Sequence, residues 1–296
     1  MKEEGWELLL VSADGREVQS ICRAEGVRHE VIPFVKGVNY VEDFISFWLL
    51  FQLIRKERPD VIHSYDSKAG FLGMLAGSLV GIPHRIHSIT EMPVHTKDPQ
   101  KGLTFLEKWT FSNATSLWVN STGMLSFFTS NSGIDADKFK LLGSGSTLGV
   151  DLEKFNRQVL KENHLVAATM RILPGENDFI ILAIGALTKR KGVEDLIAAF
   201  LKSKIVSRSK LVLIGTFEQE EESLSQETIQ TIREHPRVVQ IDWTDHVDHH
   251  LALADVLVHP SHEEGFSNVL LEAAAMQVPI ICSNCIGNAS FIKQQK

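Results

Sequence analysis

Short apolar runs alternate with amphipathic stretches along most of this chain, and that alternation limits the fold more than any other feature. WELLLVS (6–12), HEVIPF (29–34), DVIHSY (60–65), HRIHSI (84–89) and SLWVN (116–120) have the length and composition of strands. Helical spacing occupies 15–25, 42–57, 68–80 and 101–113. Beyond Asp151 the pattern loosens through a polar stretch ending in LPGEND (173–178), whose Pro and Gly mark a turn. It then restarts, with strands at FIILAIGAL (179–187), KLVLIG (210–215), VVQID (238–242), DVLVHP (255–260) and PIICS (279–283), and helices near 191–204, 224–235, 246–254 and 268–277. Regular β/α alternation implies parallel sheets wound with helices. The expected fold class is α/β, with two Rossmann-like, doubly wound parallel-sheet domains facing a cleft, residues 1–160 and 170–296. Ligands of such sheets sit beyond the carboxyl ends of the strands.

Composition narrows the function classes. A net charge of −7 over 296 residues supplies no basic excess to displace counterions, which argues against nucleic acid as a partner. The longest apolar run, FISFWLLF (44–51), is about half of what a bilayer crossing needs, and the amino terminus lacks a signal-peptide core, so a cytoplasmic protein is expected. Three cysteines make no disulfide framework, and the single C-x-x-C, Cys282 and Cys285, has no second pair to complete a zinc site. The N-x-S/T triplets at Asn113, Asn120 and Asn288 are chance matches in that compartment.

The chemistry concentrates in two turns. HPSHEEGFSNVLLEAAAM (259–276) carries Glu264 and, eight positions on, Glu272, which is flanked by Leu270, Leu271, Ala273, Ala274 and Ala275. A carboxylate there faces a desolvation cost of several kcal/mol, roughly, unless a protein group or a ligand hydrogen-bonds it. Gly265, Phe266, Ser267 and Asn268 open the following helix, with Ser267 or Asn268 as its N-cap and the glycine allowing close approach of a ligand. Upstream, GALTKRKG (185–192) puts Lys189, Arg190 and Lys191 between a strand and a helix start. Helix N-termini and cations suit an anion such as a diphosphate; a solvated basic turn beside an ordinarily capped helix is the alternative.

These residues are recognisable as a set. HPSHEEGFSNVLLEAAAM, with GALTKRKG and GSGSTLGVDLEKF (143–155), resembles the retaining glycosyltransferases of family 4, which have the GT-B fold. DVIHSYDSKAGFLGMLAG (60–77) and WTDHVDHHLALADVLVHPS (243–261) extend the likeness over nearly the whole chain, and it is strongest to bacterial capsule and exopolysaccharide enzymes. The resemblance implies a nucleotide-sugar donor, UDP-linked, and a lipid-linked or glycan acceptor in surface-polysaccharide synthesis. It makes Glu264 and Lys191 catalytic, the first touching the donor sugar and the second neutralising the diphosphate. Glu272 is matched to the ribose hydroxyls, with Arg190, Gly265, Phe266, Ser267 and Asn268 around the donor. His63, Lys68 and Thr90 fall on the acceptor side or in the cleft, where structural roles for His63 and Lys68 stay open. No metal or other cofactor is implied.

The chain departs from the family pattern at several positions. Ala186 stands where relatives carry Arg, Thr90 where many carry His or Arg, Glu91 where Gly is common, and Gln277 where a glycine follows the donor helix. His95 is a candidate to reach the donor from the Thr90 side. MKEEGWELLLVS is similar to the end of the relatives' first helix and their second strand, and relatives continue beyond CSNCIGN, so a chain trimmed at both ends is expected. The rival reading is a degenerate protein that holds nucleotide sugar without transferring it; an epimerase or phosphorylase on the same fold is a third.

Two further patterns carry alternatives. His246, His249 and His250 in DHVDHH (245–250) read either as a solvated helix surface or as a metal face. Phe44, Phe47, Trp48, Leu50 and Phe51, on a helix ending in RKER, read as core packing or as peripheral contact with the inner face of a membrane.

Overall fold

A computed structural model describes residues 5–35, 37, 39–65, 67–92, 103–146, 148–160, 172, 175, 178–218 and 223–292. His95 and most of LPGEND lie outside these. The chain divides into two compact units, the first comprising residues 1–119 and 125–141 and the second residues 120–124 and 142–296.

In the first unit, strands β1 (Leu9–Ser12) and β2 (Arg28–Val31) form a parallel pair, and β3 (Val61–Ser64), β4 (His84–Ile89), β5 (Ser116–Val119) and β6 (Phe139–Leu141) form a second parallel sheet in chain order. Helices α1 (Arg16–Glu25), α2 (Tyr40–Glu57), α3 (Ser67–Val80), α4 (Phe105–Asn113) and α5 (Thr122–Asn131) connect them. Asn39 caps α2 through its side-chain oxygen, and Thr104 with Glu107 forms a capping box at α4, two local signals that fix where those helices begin. Ile32, Leu50, Ile54, Leu72, Ala76 and Ile82 bury the inward faces of α2 and α3. A helix that is apolar all round has more apolar surface than one neighbour can cover. Accordingly Leu50 is buried and Phe47 and Phe51 are partly so, whereas Phe44 is 65% and Trp48 49% exposed, which corrects the core-packing reading for those two.

The second unit holds one five-stranded parallel sheet, ordered β11 (Ile280–Cys282), β10 (Val256–His259), β7 (Phe179–Ile184), β8 (Ser209–Ile214), β9 (Val238–Ile241). Helices α6 (Val193–Lys202), α7 (Gln226–Glu234), α8 (Val247–Leu253), α9 (Asn268–Ala275) and α10 (Ile286–Phe291) complete the β/α succession. Both faces of the sheet are covered. Leu182, Val212, Leu257, Leu270 and Met276 pack on one side, and Leu211, Leu213, Leu196, Ile197 and Phe200 on the other. Complete burial of each such aliphatic side chain contributes about 1.5–3 kcal/mol. Strands β7 and β10 are adjacent although two strands intervene in sequence, so the winding reverses between them. Crevices at such a reversal are where doubly wound sheets take ligands.

The short elements β6, α5 and α10 are absent from the sequence reading, and DHVDHH is not a solvated surface: Asp248, His249 and His250 on α8 are buried.

Candidate active site

The turns leaving β7 and β10 meet at the winding reversal and are stitched together through backbone and side chains. The Arg190 carbonyl accepts the His262 N–H at 2.9 Å. Gly192, the N-cap of α6, has φ of 70° and backs onto the Pro260 carbonyl, where an added Cβ would lie 2.3 Å from the oxygen. Only glycine meets both requirements without strain. Gly287 at the start of α10 plays the matching part behind the second turn, since a Cβ there would lie 2.6 Å from the Glu264 carbonyl oxygen.

On this frame Lys191 Nζ donates to Glu264 Oε1 at 2.5 Å. The same oxygen accepts from Ser261 Oγ at 2.8 Å and lies 3.1 Å from His259 Nε2. Burial alone would raise the Glu264 carboxyl, but the His259 hydrogen bond and the Lys191 charge outweigh it and hold the group down at about 2. Glu264 is therefore a fixed anion. The sequence reading missed His259 and Ser261; the signal was available in the way a strand end and a tight turn fold back on a residue three to five positions later.

Glu272, one face of α9, stands in the opposite condition. It is partly buried and has no side-chain hydrogen bond or ion pair among the described residues. Burial pushes its carboxyl up, opposed by the charge of Lys154. Ser267 occupies the N-cap position of α9, yet its hydroxyl makes no capping bond, and α6 likewise starts without one. Asn268 instead accepts from Ser146 Oγ at 3.2 Å, and Ser146 holds a left-handed φ of 84° in the GSGST loop. Phe266 packs edge-on against Phe291, with ring centroids 6.2 Å apart. Ala186 and Gly185 line a small recess with Lys191, His259 and Pro260, so the position that lacks an arginine borders the same turns.

Gln277 follows α9 with φ of 56° and closes it as a Schellman motif, the Val278 N–H reaching the Ala273 carbonyl at 2.9 Å and the Gln277 N–H the Ala274 carbonyl at 3.0 Å. A left-handed φ at a non-glycine cap costs about 1 kcal/mol.

In the first unit, His63 Nε2 lies 2.8 Å from Ser88 Oγ, and its ring stacks on Tyr65 at 4.5 Å and meets Trp118 edge-on at 5.0 Å. Burial pushes its imidazole pKa down, so the neutral ring is favoured. The Lys68 ammonium donates to the Val35 carbonyl and to Asp43, both at 2.6 Å, and to the Gly37 carbonyl, which ties the loop before α2 to the start of α3. Thr90 and Glu91 line a cavity of ≈ 470 Å³ with Tyr65, His87, Thr104 and Phe111.

Residues 170–296 match the family model "Glycosyl transferases group 1", and residues 1–145 match "Glycosyl transferase 4-like domain". The capsular polysaccharide biosynthesis glycosyltransferase CapM of Staphylococcus aureus is 30% identical over 292 residues, covering 97% of this chain and 74% of CapM. The Escherichia coli UDP-Gal:alpha-D-GlcNAc-diphosphoundecaprenol alpha-1,3-galactosyltransferase is 24% identical over 98% of this chain and 77% of its own length. Among solved structures, Anabaena Alr3699/HepE in complex with UDP and glucose superposes with a TM-score of 0.77 at 16% identity, covering 97% of this chain and 75% of that one. WaaG, a glycosyltransferase involved in lipopolysaccharide biosynthesis, gives 0.67 at 16% identity over 96% and 82% of the two chains. With its paired parallel-sheet units and its match to CapM, the chain belongs to the group 1 glycosyl transferases and is a glycosyltransferase of the GT-B fold.

Proposed function

We propose that the enzyme transfers a hexosyl or N-acetylhexosaminyl group from a UDP-sugar to a lipid-diphosphate-linked saccharide, with retention at the anomeric carbon. The carrying observation is the contrast at the β7/β10 reversal: Glu264 and Lys191 satisfy one another, while Glu272 and two helix starts keep hydrogen-bonding capacity for a ligand. A donor diphosphate supplies acceptor oxygens for the uncapped N–H groups and for the ammonium hydrogens of Lys191 that Glu264 does not take. Ribose hydroxyls supply the donors that a half-buried carboxylate needs.

Departure of a nucleoside diphosphate leaves an oxocarbenium-like sugar, so the barrier falls chiefly by stabilising negative charge on the leaving group. In this reading Lys191 and the amide groups at the starts of α6 and α9 do that work, and Glu264, held as an anion, offsets the developing positive charge of the sugar. No metal is required for these roles. UDP and glucose in the complex of Alr3699/HepE, and the UDP-galactose and diphosphoundecaprenol named for the E. coli relative, support the donor and acceptor classes.

The same reading places the acceptor lipid near a membrane surface, with the exposed Tyr40, Phe44 and Trp48 of α2 and Phe105 and Trp109 of α4 as contacts. No described helix is long and apolar enough to cross a membrane. Titration of the purified chain with UDP, followed by turnover of UDP-sugars on a diphosphate-lipid saccharide, tests the proposal. UDP binding with turnover upholds it, and UDP binding without turnover of any donor would leave a nucleotide-binding protein instead.

A further inference from the structure

Helix α8 buries its polar residues rather than its apolar ones alone. Asp248 is 5% and His249 4% exposed, while His246, the N-cap, stays open to solvent. Taking a carboxylate into an interior costs several kcal/mol, roughly, unless an opposite charge or hydrogen bonds answer it. Asp248 Oδ1 lies 2.9 Å from His249 Nδ1, yet it is buried without a hydrogen-bond partner among the described residues, so the contact lacks the alignment of a hydrogen bond.

We propose that His246, Asp248 and His249 form a binding site for a divalent transition-metal cation of the zinc class. One ligand atom from each residue falls within 4.8 Å of the other two. Two donor atoms held by one such cation at bonds of about 2.0–2.2 Å stand roughly 3.4 Å apart at the tetrahedral angle and roughly 3 Å apart at a right angle, so the Asp248–His249 separation of 2.9 Å fits a five-coordinate site and needs a small widening for a tetrahedral one. The His246 and His249 rings are edge-to-face at 5.3 Å, one helical turn apart on one side of α8. The His246 N–H is anchored on Thr244 Oγ1 at 3.1 Å, and its carbonyl lies 2.8 Å from His250 Nδ1. The backbone carrying the outer ligand is thereby held at both ends.

The donor set selects the metal. Two imidazoles and one carboxylate suit zinc, cobalt or nickel, and the exposed side of His246 leaves a fourth position for water. Magnesium and calcium favour oxygen ligands in larger number. The inference concerns α8 alone and stands independently of the donor reading.

The test is calorimetric titration of chelator-stripped protein with zinc chloride, joined to the visible spectrum of the cobalt form. One site is expected, with tetrahedral or five-coordinate cobalt bands and a higher Tm with zinc. His246→Ala changes an exposed residue and should lower affinity by at least about tenfold and remove the Tm increment, while Cys282→Ser/Cys285→Ser should change neither. Absence of zinc binding to the parent chain overturns the proposal, as does unchanged affinity in His246→Ala or loss of binding in the double cysteine variant.

Discussion

Glu264 and Glu272 sit eight residues apart on one turn and its helix, and the protein treats them in opposite ways. The first has a lysine, a histidine and a serine on a single oxygen and is held at about 2. The second is partly buried, has no such partner among the described residues, and is pushed up. The lesson is that burial does not define a functional carboxylate. What distinguishes these two is whether the protein or a ligand answers the burial. A satisfied carboxylate is set in charge and position by the protein, and an unsatisfied one keeps its capacity to accept hydrogen bonds.

The comparison breaks most visibly at Lys191. Lys191→Ala should lower kcat by about 10²–10³-fold, the usual consequence of deleting one preorganised charge at a leaving group, measured by steady-state transfer from the preferred donor. Unchanged turnover would remove Lys191 from the chemistry. Glu264→Gln should destabilise the unliganded protein by about 1.5–3 kcal/mol in urea melts, because charge-assisted bonds from three partners are lost.

That loss has a pH signature. Glu264 lies below its ordinary 4.5 when folded, so its contribution is present above about pH 4.5 and disappears as pH falls toward 2. Glu272, raised on folding, contributes with the opposite sign, and stability falls as pH rises through its titration. Melts at pH 6 and pH 3 should show Glu264→Gln losing less stability on acidification than the parent.

Glu272→Gln is the sharper control. It should weaken UDP binding by about tenfold, near 1.4 kcal/mol, while leaving the unliganded protein as stable or more so. Equal destabilisation by both glutamine variants would erase the distinction. The smallest effect is expected beside the site: Gln277→Gly relieves a left-handed φ and should stabilise by up to about 1 kcal/mol without changing UDP affinity.

Much of the architecture was legible in the sequence because parallel strands buried on both faces are near-continuous apolar runs, as in FIILAI and KLVLI. What escaped was short or weakly patterned. Strand β6 is three residues long, and α5, TGMLSFFTSN, mixes glycine, serine and threonine into a helix whose propensity is poor. In the site, the family motif pointed to Glu264 and Lys191, but their direct pairing joins residues 73 positions apart and depends on two strands becoming neighbours. The burial of α8 escaped for a related reason: DHVDHH is polar by composition, and only the packing of the sheet decides which polar groups go inside.

The contact of Gly192 with the Pro260 carbonyl has a consequence for redesign. Because the two turns touch through main chain at that point, the spacing of their amides is indifferent to most side-chain replacements around them. If the proposed donor site is right, altered sugar preference is best sought in side chains of the turns, such as Phe266 against Phe291, because replacing them leaves the spacing of the interlocked peptide groups unchanged.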